Sequence, residues 1–272
     1  MQRTFTIHIL LIVLTAMLAL FVSECDDAGQ KARMTKAERE ALRKADSAAL
    51  KIGVMPTADC LPILVAKELR LFDTLGVDVR LRRYHALSEC RKALEGKLVE
   101  GAAIDSTLMK VLQDKGLKID GVMATDLTWK FLTAKKARIT RLGQLNDKFV
   151  AADSHGESLV LAQNATDSLN RKKPSTFIVQ VEDPAVRLNM LTTGNVDAAL
   201  MPEPYATIAM IRGAHWIKEV KSPSRGVLVV RNAPMKDKTR KEQLKLFMKA
   251  VAVAKDSIKR YGQERYANLL GY

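Results

Sequence analysis

From residue 50 onward the apolar positions switch repeatedly between alternate spacing and helical spacing. LKIGVM (50–55) is a short strand-like run, and CLPILVAKELRLF (60–72) carries Leu61, Leu64, Val65 and Leu69 at helical spacing. GVDVRLRRY (76–84) alternates as a half-covered strand does. SECRKALEGK (88–97) reads as a helix with Ser88 as its N-cap and Gly96 closing it. VEGAAI (99–104) is a small-residue strand, DSTLMKVLQDKG (105–116) a capped helix ended by Gly116, and LKIDGVMAT (117–125) another strand. The unit then restarts. DKFVAAD (147–153) is a strand, and SHGESLVLAQNATDSLN (154–170) a helix with Ser154 placed to cap it. STFIVQV (175–181) is a strand, followed by DPAVRLNMLTTGN (183–195), a helix with Asp183 as N-cap and Pro184 at its first position. VDAALM (196–201) is a strand that runs into PEPYATIAM (202–210), the opening of a helix. RGVLVVR (225–231) is a strand, and Lys238–Tyr261 a long amphipathic helix.

Strands alternating with helices imply parallel βαβ units and an α/β fold. The two similar series predict two lobes, each a mostly parallel sheet flanked by helices, with a cleft between them. The first lobe spans residues 50–128, the second 137–218, and residues 226–272 return to the first. WKFLTAKKA (129–137) and HWIKEVKSPSRGVLVV (215–230) are then the two crossings.

The chain ahead of this body has a different character. Arg3 precedes a nearly continuous apolar run from Ile9 to Val22, 14 residues long. That is short of the about 20 residues a spanning helix needs and suits the core of a secretion signal. The run leads to Val22, Ser23, Glu24 and Cys25, which resembles a bacterial lipoprotein signal: residues 1–24 are the signal peptide and Cys25 carries the lipid. Glu24 departs from that pattern, which has a small residue before the cysteine, and leaves an uncleaved anchor or a plain secretion signal as alternatives. Each reading places the body outside the cytoplasm, and the lipoprotein reading gives it a membrane anchor facing the periplasm. Residues 25–49 are polar, dense in charge and read as a tether.

Composition adds limits. The 272 residues are 47% hydrophobic and 27% charged, as in a globular protein. A formal net charge of +14 points to an anionic partner. The basic residues, however, are scattered along predicted helices as solvated faces, and no basic run interleaves with aromatics as a nucleic-acid groove requires. No nucleic-acid partner is expected. No HExxH, GxSxG, Walker A or GxGxxG string occurs, and no Cys/His spacing fits zinc. No catalytic residue, metal or cofactor is expected.

With this architecture the chain resembles the type II periplasmic solute-binding proteins, in the branch serving nitrate, sulfonate, taurine and thiamine-precursor (pyrimidine) importers of the ABC class. The resemblance covers residues 50–272. It is carried by IGVMPTADCLPILVAKELRLF (52–72), GVDVRL, KALEGKLVEGAAI, VEDPAVRLNMLTTGNVDAALMPEPYAT (181–207) and ERYANLLGY. It implies a chain that captures a small solute by hinge closure and delivers it to a membrane permease driven by separate ATPase subunits. Enzymes of pyrimidine synthesis and of the menaquinone pathway resemble the same two-lobed fold; they are cytoplasmic, whereas this chain carries an export signal.

In open parallel sheets the ligand lies beyond the carboxyl ends of the strands. The residues there are Thr57 and Asp59 after the first strand, Asp105, Ser106 and Thr107 after the third, and Asp126 and Trp129 after the fourth. In the second lobe they are Ser154, His155, Gly156 and Ser158, then Glu203 and Tyr205. The stretch at 154–158 enters a helix, where free N–H groups and the dipole favour oxygen-rich groups, and Gly156 permits close approach. Bland alternatives stand beside these roles: Ser154 as an ordinary cap, His155 as a loop histidine, Pro202 and Pro204 as helix starters with Tyr205 packed on the core. Arg225 is expected in a hinge salt bridge. Cys60 and Cys90 each follow a strand of the first lobe, where adjacent strands lie about 5 Å apart, so a disulfide between them is predicted. The carboxylates at strand ends oppose a simple anion and favour a nitrogenous solute of the pyrimidine type over nitrate or sulfonate.

Overall fold

The computed structural model describes residues 35–167, 176–223 and 225–271. The expected signal peptide, the lipidation site Cys25 and the first part of the tether lie outside the described residues. The chain divides at residue 48 into two units. In the first, helix α1 (Lys36–Ala48) buries none of its residues. Its start is a reciprocal cap: the Thr35 amide donates to Glu38 Oε2 at 2.7 Å, and the Glu38 amide to Thr35 Oγ1 at 3.3 Å.

The second unit begins at Ala49. Strand β1 (Leu50–Val54) leads through a 3₁₀ turn at Ala58–Cys60 into α2 (Leu61–Glu68), then α3 (Leu71–Thr74). Next come β2 (Val79–Arg83), α4 (Leu87–Glu95), β3 (Gly101–Asp105), α5 (Ser106–Asp114) and β4 (Ile119–Thr125). After β5 (Trp129–Thr133) follow β6 (Phe149–Ala152), α6 (Glu157–Asp167), β7 (Phe177–Gln180), α7 (Pro184–Thr193) and β8 (Ala198–Pro202). The last elements are α8 (Tyr205–Ile211), β9 (His215–Trp216), β10 (Gly226–Arg231) and α9 (Lys238–Tyr261), closed by a 3₁₀ segment at Glu264–Leu270.

Among the described residues the strands form two five-stranded mixed sheets, β2-β1-β3-β10-β4 and β7-β6-β8-β5-β9. The two orders are one pattern used twice: three parallel strands, then one antiparallel strand arriving from the other lobe, then a fourth. Thus β10 enters the first sheet and β5 the second. Residues 129–133, expected within a crossing, are therefore a strand paired with β8 from Trp129↔Pro202 to Thr133↔Ala198. The first connection shrinks to residues 126–128.

Alternation along the strands sorts the core into layers. Leu50, Ile52, Val54, Leu228 and Val230 face α2 and α9, where Phe72 stacks on Phe247 at 5.4 Å between ring centroids. Ala102, Ile104 and Val229 face the other way, into a cluster that also holds Trp129, Phe131, Val150 and Leu200 of the second sheet. Ala151, Ala199 and Met201 pack beneath α7 and α8. One apolar cluster thus contains residues of both sheets. No helix among the described residues is long and apolar enough to cross a membrane.

Candidate functional site

Strand ends of both lobes border a cavity of about 390 Å³. Its wall takes Ala58 and Asp59 from the turn after β1, Asp126 and Thr128 from the crossing, Glu203 from the end of β8, and Lys255 and Lys259 from α9. The turn after β1 is tied to the second lobe by the Ala58 amide, which donates to the Glu203 carbonyl at 2.9 Å. Asp59 is buried. Its Oδ2 accepts the Thr125 hydroxyl at 3.3 Å, whereas its Oδ1 has no hydrogen-bond partner. Burial pushes its carboxyl above the ordinary value, against the hydrogen bonds that favour its ionised form. Glu203 is held by an ion pair with Lys130, and it accepts the Thr207 amide at 3.0 Å.

A second meeting of the lobes lies at Asp105. Its Oδ1 accepts the Leu108 amide at 2.7 Å, capping α5, and its Oδ2 accepts the Glu157 amide at 3.2 Å, at the first residue of α6. One fully buried carboxylate thus caps a helix in each lobe. Glu157 returns the contact: its carboxylate accepts the Thr107 hydroxyl and pairs with Arg225 Nε at 3.2 Å. Gly156 makes the approach possible. It sits at φ +142°, and a Cβ there would stand 2.7 Å from Asp105 Oδ2. Burial pushes Asp105 up to about 7; the Leu108 amide pulls it down, and the Asp153 charge adds to the rise.

The second lobe holds a further polar group at its own strand ends. Asp153, just past β6, is 1% exposed, and the Ser158 hydroxyl and the Leu159 amide favour its ionised form. Burial lifts it to about 6, opposed by the Arg187 guanidinium. Arg187 on α7 is fully buried; it donates to the Leu200 carbonyl at 2.8 Å and lies over the Trp129 ring at 5.3 Å. Arg187 Nε and Trp129 Nε1 are buried without partners.

The expected positions therefore separate into groups. Asp59, Asp126 and Glu203 meet at the cavity, with Trp129 directly beyond Thr128 of its wall. Asp105, Thr107 and Gly156 form the contact between lobes, and the Ser106 amide donates to the Arg225 carbonyl at 2.8 Å beside it. The salt bridge expected of Arg225 is the one to Glu157. Thr57 is buried at the start of the 3₁₀ turn, its hydroxyl beside the Asp59 carboxyl, whose ionised form it favours. Ser158 is buried and accepts the Asp153 amide at 3.0 Å.

Several expectations are corrected. Ser154 does not cap α6, because the Asp105 carboxylate takes that role; the Ser154 amide donates to Glu182 Oε1 at 3.0 Å, and its hydroxyl lies 2.6 Å from His155 Nδ1. Ser88 lies inside α4, whose N-cap is Ala86; the Glu89 carboxylate instead accepts the His85 amide at 2.8 Å. Tyr205 packs in the core of the second lobe with Ala206 and Met201, so the bland alternative holds there. Cys60 and Cys90 are free buried thiols, not a disulfide, and pack into different core clusters. Asp183 does cap α7, accepting the Ala185 amide at 2.7 Å. Two functional-looking residues escaped the sequence reading, Asp153 and Arg187, whereas Glu157 lay within the polar stretch at 154–158. Arg187 had a signal, since it falls with Pro184, Leu188 and Leu191 on the buried stripe of its helix. Among the described residues no His, Cys, Asp or Glu group is placed to hold a metal ion.

Two mixed sheets of this repeated order, with strand ends converging between lobes, define the type II periplasmic binding-protein fold. Comparison with solved structures agrees. The ligand-binding component of an ABC-type import system from Staphylococcus aureus, with zinc bound, is 16% identical at a TM-score of 0.67, over 82% of this chain and 78% of that one. The periplasmic aliphatic sulphonate binding protein SsuA from Escherichia coli is 18% identical at 0.61, over 82% and 77%. The periplasmic nitrate-binding protein NrtA from Synechocystis PCC 6803 is 15% identical at 0.66, over 83% of this chain and 66% of that one. A model of the NMT1-like family matches residues 43–269, and the chain belongs to that family. No curated protein sequence matches it.

Proposed function

We propose that the chain is the extracytoplasmic solute-binding component of an ABC importer. It captures a small nitrogenous solute, of the pyrimidine or thiamine-precursor type, and delivers it to a membrane permease with ATPase subunits. The observation that carries this reading is the acceptor-rich cavity at the strand ends, whose Asp59 Oδ1 is buried without a partner. A buried acceptor left unmatched is disfavoured unless a donor reaches it, and a nitrogenous solute brings N–H groups. The cavity volume of about 390 Å³ suits a small organic molecule. Capture and delivery ask no covalent step of the protein, and the lobes pivot about residues 126–128 and the stretch before β10. Its family and its fold support this reading.

A second reading has its own observation. Lys255 and Lys259 reach the same cavity, so a sulfonate or nitrate anion bound at the α9 side is the alternative. A thermal-shift screen separates the two. A ligand that binds only the folded chain raises its melting temperature by mass action. Hydroxymethylpyrimidine and formylaminopyrimidine are expected to do so, with taurine, alkyl sulfonates and nitrate inert. The reverse pattern would transfer the assignment to the anion reading.

A further inference from the structure

We propose that Asp153, Arg187 and Trp129 form a recognition subsite in the second lobe for the flat edge of a nitrogenous solute, one that presents N–H donors beside an acceptor. This rests on the solute-binding reading and names what the second lobe contributes to it.

The subsite follows from strand order. Strands β6, β8 and β5 are neighbours in the second sheet. Asp153 follows the last residue of β6, Leu200 lies near the end of β8, and Trp129 opens β5 opposite Pro202. All three positions therefore stand along one edge, the edge at which Glu203 and Thr128 border the cavity. Arg187 reaches this row from α7, anchored on the Leu200 carbonyl and laid over the Trp129 indole.

The chemistry of the row is incomplete as the protein stands. Asp153 and Arg187 act on each other electrostatically, yet no hydrogen bond joins them. Arg187 Nε and Trp129 Nε1 are buried donors without partners, and the Asp153 carboxyl, with the Ser158 hydroxyl and the Leu159 amide beside it, keeps acceptor capacity for a further donor. Folding does not ordinarily leave two desolvated donors without bonds in one place. A molecule that donates to Asp153 and accepts from Arg187 and Trp129 completes the set. An aminopyrimidine edge does both within one plane, and the Arg187 guanidinium lies over the Trp129 ring at 5.3 Å, beside the row that such an edge would meet. A sulfonate or nitrate group offers acceptors alone and would face the Asp153 carboxylate with nothing to donate.

The test is isothermal titration of the full chain, in mild detergent, with hydroxymethylpyrimidine and with taurine. It is run on the natural protein, Asp153→Asn, which keeps shape but loses an acceptor, and Trp129→Phe, which loses only the indole N–H and ring bulk. Circular dichroism and a melting curve establish that each variant is folded, and Ile211→Ala on the surface is the control. Asp153→Asn is expected to weaken hydroxymethylpyrimidine binding by about tenfold or more, as loss of a hydrogen bond to a charged group does, and Trp129→Phe to weaken it less. Equal binding by the natural protein and both folded variants would overturn the subsite and leave the solute-binding reading standing. Absence of pyrimidine binding by the natural protein would overturn both.

Discussion

Replacing Gly156 with alanine perturbs the contact that joins the two lobes. The residue sits at φ +142°, which L residues rarely adopt, and the added Cβ would lie 2.7 Å from Asp105 Oδ2. Strained backbone of this kind costs about 1–3 kcal/mol. The overlap is with a carboxylate fixed by two helix N-termini, so it is relieved only by withdrawing Asp105 from the Glu157 amide. Losing a hydrogen bond to a charged group costs about 1.5–3 kcal/mol more. The whole effect is about 2.5–6 kcal/mol, which at roughly 2–4 °C per kcal/mol for a chain of this size lowers the melting temperature by roughly 5–24 °C. Differential scanning calorimetry reads the shift, and small-angle scattering shows whether the lobes separate, by a larger radius of gyration. Gly143→Ala is the control, since a Cβ there meets nothing within 4 Å. A Gly156→Ala protein with unchanged melting temperature and scattering would refute the double-cap account of this contact.

Three further outcomes are expected. Burial raises Asp105 and Asp153 from the ordinary carboxylate range to about 7 and about 6, so the folded chain holds these protons more tightly than the unfolded one. Folding then takes up protons between about pH 4 and pH 7, and stability falls as pH rises through that window; denaturant titrations at a series of pH values check it, and a rise over the same range would contradict it. Phe247→Ala removes a fully buried ring stacked on Phe72 and is expected to destabilise by about 3–5 kcal/mol, read by the urea midpoint. Cys60 and Cys90 are expected to resist Ellman's reagent in the native state and react on unfolding, because burial holds both thiols protonated; a band shift that a reductant abolishes, or prompt reaction, would argue otherwise.

Much of the fold was legible in the pattern of the chain, because strands buried on both faces read as short apolar runs and their helices carry caps such as Asp183. The first crossing was not. Trp129–Thr133 is as apolar as a linker packed on a core would be, and only its pairing with β8 makes it a strand. The strand-end rule found Asp59, Asp126 and Glu203, which do gather at one cavity. It could not divide those from Asp105, since one carboxylate capping two helices of different lobes leaves a sequence trace only at the nearer helix. For the same reason Ser154 was assigned a cap that a distant residue supplies. The disulfide expectation rested on strand adjacency, but Cys60 and Cys90 point into different core clusters, a matter of side-chain direction that spacing does not carry. Arg187 was passed over because a charged helical residue is usually solvated, although its place on the buried stripe marks it as unusual.

On the proposed function, the two sheets hold a small nitrogenous solute between their strand ends and return it unaltered. Equilibrium binding of hydroxymethylpyrimidine to the full chain, followed by mass analysis of the released solute, tests it most directly. One molecule bound per chain and recovered unchanged is the predicted result. A solute that is not retained, or one that comes back chemically converted, would contradict it.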